Sequence, residues 1–219
     1  PHDNLPDPGR RLKIGYVSAD MKQHPVGFFF LPVISNVDRE QFEIFCYANM
    51  AREDDFTGKI RAHADHWRDI SLMSDDEAAA TIRGDKIDIL IELTGHAEDH
   101  RLVMFGRKPA PVQVLGGGHY CSSGLDTMDY ILSDAVETLE DEEQWFSETT
   151  MRMPHGYICY APPDYAPEIN SLPALEKGTV TFGCCNNLAK INDQVISLWA
   201  ELLKTVPDSR LSLRTNTLD

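Results

Sequence analysis

With 219 residues, 42% of them hydrophobic, the chain can build a sizeable core, as one large domain or one domain plus part of another, and its composition is not that of a disordered protein. Twenty basic against thirty-five acidic residues give a net charge of −15, which disfavours nucleic-acid backbones and anionic membrane surfaces as partners. The chain contains no run of about 18 apolar residues and no signal-peptide pattern, so no membrane partner and a cytoplasmic location are expected.

The elements alternate along the chain. "LKIGYVSA" (12–19) reads as a first strand, ending on a polar turn that leads into "QHPVGFFFLPVI". A helix is predicted over 26–37, with Phe29, Val33 and Val37 on one stripe. "FEIFCYAN" (42–49) reads as the next strand, and 53–66 as a polar amphipathic helix. "SDDEAAATIRGDK" (74–86) opens on Ser74 as an N-cap, followed by acidic residues suited to a first turn. Three further strands follow in "IDILIELTG" (87–95), "VQVLGG" (112–117) and "DYILSD" (129–134). Continuous apolar runs suit strands covered on both faces, and the βα repetition predicts a doubly wound parallel sheet. Ligands of such sheets meet the loops at the carboxyl ends of the strands. His24, Glu92 and His96 all fall at such ends.

From residue 154 the texture changes. Five of the thirteen prolines fall in 154–178, which reads as a connector. "TVTFGCCNN", an amphipathic helix over 192–206 and "SRLSLRT" then resemble the opening of a second βαβ unit. The expected division is a first Rossmann-like domain over 1–153, the connector, and a second, truncated one over 179–219. Apolar residues on the later helix, Trp199 and Leu202 among them, suggest a homodimer or packing against the first domain.

Taken singly, the residues that carry chemistry are ambiguous. His63 with His66, and His96 with His100, have the spacing of metal pairs but no third ligand, and no metal is expected. The glycines at 116–118 read as a turn, and no serine lies in a GxSxG elbow. The five cysteines form no CxxC pair and read as buried, reduced thiols. Lys190 lies near a helix start, where a lysine and backbone amides can together hold phosphate.

Several long blocks carry a more specific signal. "IGYVSADMKQHPVGFFFLPVI", "DILIELTGHAEDHRLVMFGRKPAPVQV", "SSGLDTMDYILSD", "MRMPHGYICYAPP" and "VTFGCCNNLAKINDQVISLWAELLKTVPDSRL" follow one another in register. Together they resemble the catalytic region of the O-GlcNAc transferase/SPINDLY family, glycosyltransferase family 41, over residues 11–214. The resemblance implies an α/β, Rossmann-like GT-B N-terminal catalytic domain with a truncated second Rossmann-like domain. It implies an inverting, metal-independent transfer of sugar from a nucleotide donor to Ser or Thr hydroxyls of proteins. The donors it implies are UDP-GlcNAc, which is favoured, GDP-fucose or UDP-glucose, each a substrate rather than a cofactor. The tetratricopeptide repeats that commonly precede this region are absent from the sequence, as is most of the donor-binding half, so the fragment alone is expected to be inactive.

By the same resemblance His24 matches the histidine of the H-P motif, a general-base candidate. Glu92 falls where the family usually has aspartate, and His96 where it has histidine or tyrosine; the resemblance makes both catalytic candidates beside His24, to orient the sugar or assist proton movement, and leaves open which of the three is the base. Asn187 and Lys190 match the loop that contacts the donor diphosphate, and Gly27, Gly118 and His119 fall in cleft loops. Phe28 stands where the family often has a second histidine, and "GGGHYC" (116–121) departs from the usual W-L-G-Y-P-G. These departures sustain an alternative, a non-catalytic peptide-binding module derived from the same fold.

Overall fold

The computed structural model describes residues 2–7, 9–118 and 121–215 and divides into two units, 1–162 and 163–219. The first is built on a seven-stranded, wholly parallel sheet. Its strands are β1 (Leu12–Ser18), β2 (Phe42–Ala48), β3 (His66–Asp69), β4 (Ile89–Glu92), β5 (Val112–Leu115), β6 (Tyr130–Ser133) and β7 (Thr149–Arg152). The spatial order is β3-β2-β1-β4-β5-β6-β7, so the winding reverses between β1 and β4. That reversal opens a crevice outside the carboxyl ends of the two strands.

Helices α1 (Pro25–Ser35), α2 (Asp55–Arg61), α3 (Asp75–Gly84) and α4 (Leu102–Phe105) connect the strands. The two-residue period of a strand feeds two separate cores. Ile14, Tyr16, Ile44 and Cys46 pack with Val26, Phe30 and Ile34 of α1 and Ile60 of α2. The intervening Phe45, Tyr47 and Leu90 pack with Ala78, Ala79 and Ile82 of α3 and Met104 and Phe105 of α4. Burial on both faces accounts for the uninterrupted apolar runs of the central strands.

Local capping agrees with the sequence. Ser74 and Glu77 form a reciprocal capping box at α3, and Asp54 and Thr57 do the same at α2. The stripe of α1 differs from the expected one: Val26, Phe30 and Ile34 are buried, Phe29 is only partly buried, Val33 is exposed and Val37 lies beyond the helix. The predicted helix over 53–66 is shorter and ends at Arg61, because His66–Asp69 is taken up as β3 along the edge of β2. Of the cysteines only Cys46 is buried; Cys121, Cys159 and Cys185 are exposed and Cys184 is partly so, all five without a disulfide.

The second unit pairs β8 (Thr181–Cys184) in parallel with β9 (Arg210–Leu213) across α6 (Asp193–Thr205), with a short helix α5 (Pro173–Lys177) before them. Val195, Trp199, Leu202 and Leu203 form the half-buried stripe of α6, and Leu198 is exposed. Among the described residues no helix is long and apolar enough to cross a membrane.

At the amino end of β4, Asp88 gathers the start of the sheet. Its carboxylate accepts from Arg10 Nη1 at 2.7 Å and Nη2 at 2.5 Å, from Asn4 Nδ2 at 2.7 Å and from the backbone amide of Lys13 at 2.9 Å. Burial pushes its pKa up, but the Arg10, Lys13 and Asn4 bonds outweigh it and hold the carboxyl below its usual range. The stabilisation is therefore present above the unfolded value of about 3.9 and is lost as pH falls through the depressed folded value. Asp88→Ala is expected to cost about 2–3 kcal/mol in urea denaturation at pH 7. That lies below the roughly 3–5 kcal/mol of a fully buried pair because Arg10 is a quarter exposed. The difference from wild type should shrink when the titration is repeated near pH 3.

Candidate functional site

The site grows from the carboxyl ends of β1 and β4, where the order of the sheet reverses. Glu92, the last residue of β4, has no exposed surface. Both of its carboxylate oxygens lie 3.0 Å from the amide of Thr94, and Oε2 also accepts from the amide of Gly95 at 2.5 Å. The loop is thus bent back over the strand end. Burial is the dominant influence on this acid; it prevails over the amide hydrogen bonds, with nearby Asp20 adding to it, and the pKa is pushed up to about 8.

Thr94 carries the connection to the neighbouring strand. Its hydroxyl accepts from the amide of Ala19 at 3.2 Å and donates to Ser18 Oγ at 3.4 Å. Ser18 Oγ in turn accepts from the amide of Asp20 at 2.9 Å. Asp20 Oδ1 lies 3.6 Å from His24 Nδ1. A continuous series of polar contacts therefore runs from Glu92 to His24. The His24 ring is about two-fifths exposed, at the N-cap of α1, and its Nδ1 accepts from the amide of Val26 at 3.3 Å. Proline after it keeps His24 extended, with φ −142° and ψ 153°.

Two glycines make the approach possible. A Cβ on Gly27 would lie 2.2 Å from the carbonyl oxygen of Lys22, so the 20–24 loop rests directly on the start of α1. A Cβ on Gly118 would lie 1.6 Å from the carbonyl oxygen of Leu93, so the loop after β5 passes against the loop after β4. The triple glycine is a tight turn, with Gly118 N bonded to Gly116 O at 2.9 Å.

His96 is exposed, and its Nε2 donates to the carbonyl of Ser122 at 3.0 Å. Ser122 and Ser123 are anchored by buried Glu148, which accepts from Ser122 Oγ at 2.8 Å, from the amide of Ser123 at 2.7 Å and from Ser123 Oγ. His24, Glu92, Gly27, His96 and Gly118 all lie at or just after the carboxyl ends of strands of this sheet, whereas His119 lies outside the described residues. Phe28 packs on Phe56 with ring centroids 4.6 Å apart, an apolar contact in place of a second histidine. His66 is bound to Glu43 at 2.7 Å, and among the described residues no group of three or more potential ligands could hold a metal ion.

In the second unit Asn187 caps a short 3-10 turn, its Oδ1 accepting from the amide of Ala189 at 3.0 Å, and Lys190 ends that turn exposed. Sequence reasoning passed over Asp20, Thr94 and Glu148. Asp20 could have been found by its place four residues before His24 in the same tight loop; nothing in the neighbourhood of Glu148 marks it out.

A doubly wound parallel sheet with a histidine-bearing loop at its switch point defines a Rossmann-like unit with a carboxyl-edge site. Comparison with known proteins narrows this further. The profile of Glycosyl transferase family 41 matches residues 2–162, and the chain belongs to that family. A protein of Arabidopsis thaliana, named "Probable UDP-N-acetylglucosamine--peptide N-acetylglucosaminyltransferase SPINDLY", is 38% identical over 216 residues, 97% of this chain and 24% of that protein. A "UDP-N-acetylglucosamine--peptide N-acetylglucosaminyltransferase" of Caenorhabditis elegans is 36% identical over 152 residues, 68% of this chain and 13% of that protein. Among solved structures, a mutant O-GlcNAc transferase of Thermobaculum terrenum superposes with a TM-score of 0.88 at 39% identity, covering 96% of this chain and 40% of that one. The chain thus spans about a quarter or less of the length of these curated relatives.

Two outcomes follow from the geometry. Gly118→Ala forces a backbone displacement and should cost about 1–3 kcal/mol of stability, read from urea midpoints. For Glu92 the folded pKa lies above the unfolded value of about 4.3, so the folded state holds the extra proton and stability falls as pH rises from there to about 8. Urea midpoints measured from pH 5 to 9 should show that decline, and Glu92→Gln should flatten it; an unchanged slope in the variant would place the titration elsewhere.

Proposed function

We propose that this chain is the acceptor-side domain, together with part of the donor-side domain, of an enzyme that moves a sugar from a nucleotide donor to Ser or Thr hydroxyls of proteins. UDP-GlcNAc is the donor favoured by the names of the relatives. The observation that supports this reading most is the run of contacts that holds His24 half-exposed at the switch point of the sheet. A partly exposed imidazole on a rigid loop suits the removal of a hydroxyl proton at neutral pH.

In this reading the acceptor hydroxyl gives its proton to His24 Nε2 as its oxygen attacks the anomeric carbon. The bond from that carbon to the donor phosphate breaks on the opposite side, and the configuration inverts. The diphosphate leaves with the bonding pair. In the second unit Lys190, exposed at the end of the turn capped by Asn187, supplies the positive charge such a group needs. Glu92, without exposed surface, shapes the 93–95 loop rather than touching the sugar. His96, tied to Ser122, borders the acceptor site. The chemistry needs no metal.

The test uses a protein extended through the remaining length of its relatives. His24→Ala is expected to lower kcat by about 10²–10⁴-fold with the circular dichroism spectrum unchanged. Undiminished turnover would remove His24 from the mechanism. Calorimetric titration of the same protein with UDP and with GDP should show tighter binding of UDP. Lys190→Ala should weaken that binding by at least about tenfold, the effect of losing a charged hydrogen bond. Peptide binding without any donor turnover would instead favour the non-catalytic module.

A further inference from the structure

We infer that Asp20 is a positioning residue that sets the tautomer of His24, an inference that rests on the reading of His24 as the base. A neutral imidazole carries one N–H and one free lone pair. Where Nδ1 accepts from the amide of Val26, at 3.3 Å, the ring hydrogen sits on Nε2. In that state the outward nitrogen is a donor and cannot take a proton from an approaching hydroxyl. To act as a base at Nε2 the ring must carry its hydrogen on Nδ1. An Nδ1–H facing the Val26 N–H would oppose donor to donor.

Asp20 removes that conflict. Its Oδ1 lies 3.6 Å from Nδ1, a little beyond hydrogen-bond reach, so a small rotation of the ring exchanges the Val26 amide for the carboxylate. The carboxylate is well placed for this exchange. Its side chain is 15% exposed, its own amide is held by Ser18 Oγ at 2.9 Å, and Gly27 lets its loop lie directly on α1. The other charged groups around the pair are Lys22, whose Nζ is 4.0 Å from the same Oδ1, Asp54, which accepts from the amide of Gln23 at 2.8 Å, and buried Glu92. Lys22 competes for Asp20, whereas Asp54 and Glu92 have no contact with the ring. When Nε2 takes the hydroxyl proton, the hydroxyl bonding pair stays on the attacking oxygen. The imidazolium then carries a hydrogen on each nitrogen, and Asp20 faces the one on Nδ1.

Ring-nitrogen NMR of the 219-residue chain, labelled with 15N-histidine, tests this directly, with the His24 signals assigned by their loss in His24→Ala. At alkaline pH the wild type should show His24 with a protonated Nδ1 population. In Asp20→Ala the Nδ1 signal should move to the unprotonated position, and Asp20→Glu should restore the protonated population in part. Amide spectra establish that each variant is folded. A wild-type ring with hydrogen on Nε2 alone, or the same tautomer in wild type and Asp20→Ala, would overturn the inference. In the extended protein Asp20→Asn, which keeps the shape, should lower kcat by about a hundredfold with acceptor KM within twofold. An unchanged kcat, or a change confined to KM, would also overturn it. Loss of turnover in His24→Ala without these effects sinks the Asp20 role alone; retained turnover in His24→Ala sinks the base reading itself.

Discussion

A carboxylate without exposed surface organises the carboxyl end of this sheet. Glu92 satisfies the amides of Thr94 and Gly95, which would otherwise point into the interior with no partner. A buried unpaired amide costs about 1–3 kcal/mol, so replacing this side chain by an apolar one would leave a debt at two positions at once. With those amides held, Thr94 is aimed at β1 and bonds Ala19 and Ser18 across the point where the winding reverses. Ser18 then orders Asp20, and Asp20 faces His24. A series of polar contacts thereby connects an acid with no exposed surface to a half-exposed histidine.

Space rather than conformational freedom explains the glycines that flank this arrangement. At Gly27 the start of α1 rests on the carbonyl of Lys22, and at Gly118 the loop after β5 rests on the carbonyl of Leu93, with no room for a side chain at either. The loops after β1, β4 and β5 consequently form one packed layer. Glu148 extends that layer by fixing Ser122 and Ser123, and through the Ser122 carbonyl it reaches His96.

Much of the fold was legible in the sequence where burial leaves a pattern. The central strands β1, β2, β4, β5 and β6 are apolar on both sides because both sides carry a core, and the capping box of α3 is written in "SDDE". The two edge strands were not legible. His66–Asp69 and Thr149–Arg152 pair along only one side and are partly exposed, so neither shows an apolar run. The stripe of α1 was misread because nearly every residue of "PVGFFFLPVIS" is apolar, which leaves the helical phase undetermined until a sheet face selects it. At the site, position after a strand pointed to His24. Among the contacts that lead to it, those of Thr94 with Ala19 and Ser18 join residues 75 or more positions apart, and no local pattern encodes them.

The two acids that bracket β4 show what separates a structural end of the sheet from a chemical one. Asp88 precedes the strand and Glu92 ends it, both buried and both bonded to backbone amides. Asp88 also faces the Arg10 guanidinium, and its carboxyl is held below the usual range; among the described residues Glu92 has no cationic hydrogen-bond partner, and its carboxyl is pushed up to about 8. The difference follows from compensation, since burial opposes ionisation in both and only one has a positive charge to offset it. At the amino edge that charge closes the sheet with an ion pair. At the carboxyl edge its omission leaves an acid whose ionisation is opposed by burial, beneath the loops that it holds. A cation at Glu92 would stabilise the ionised acid, but it would also compete with His24 for Asp20, the carboxylate that a base at this position requires.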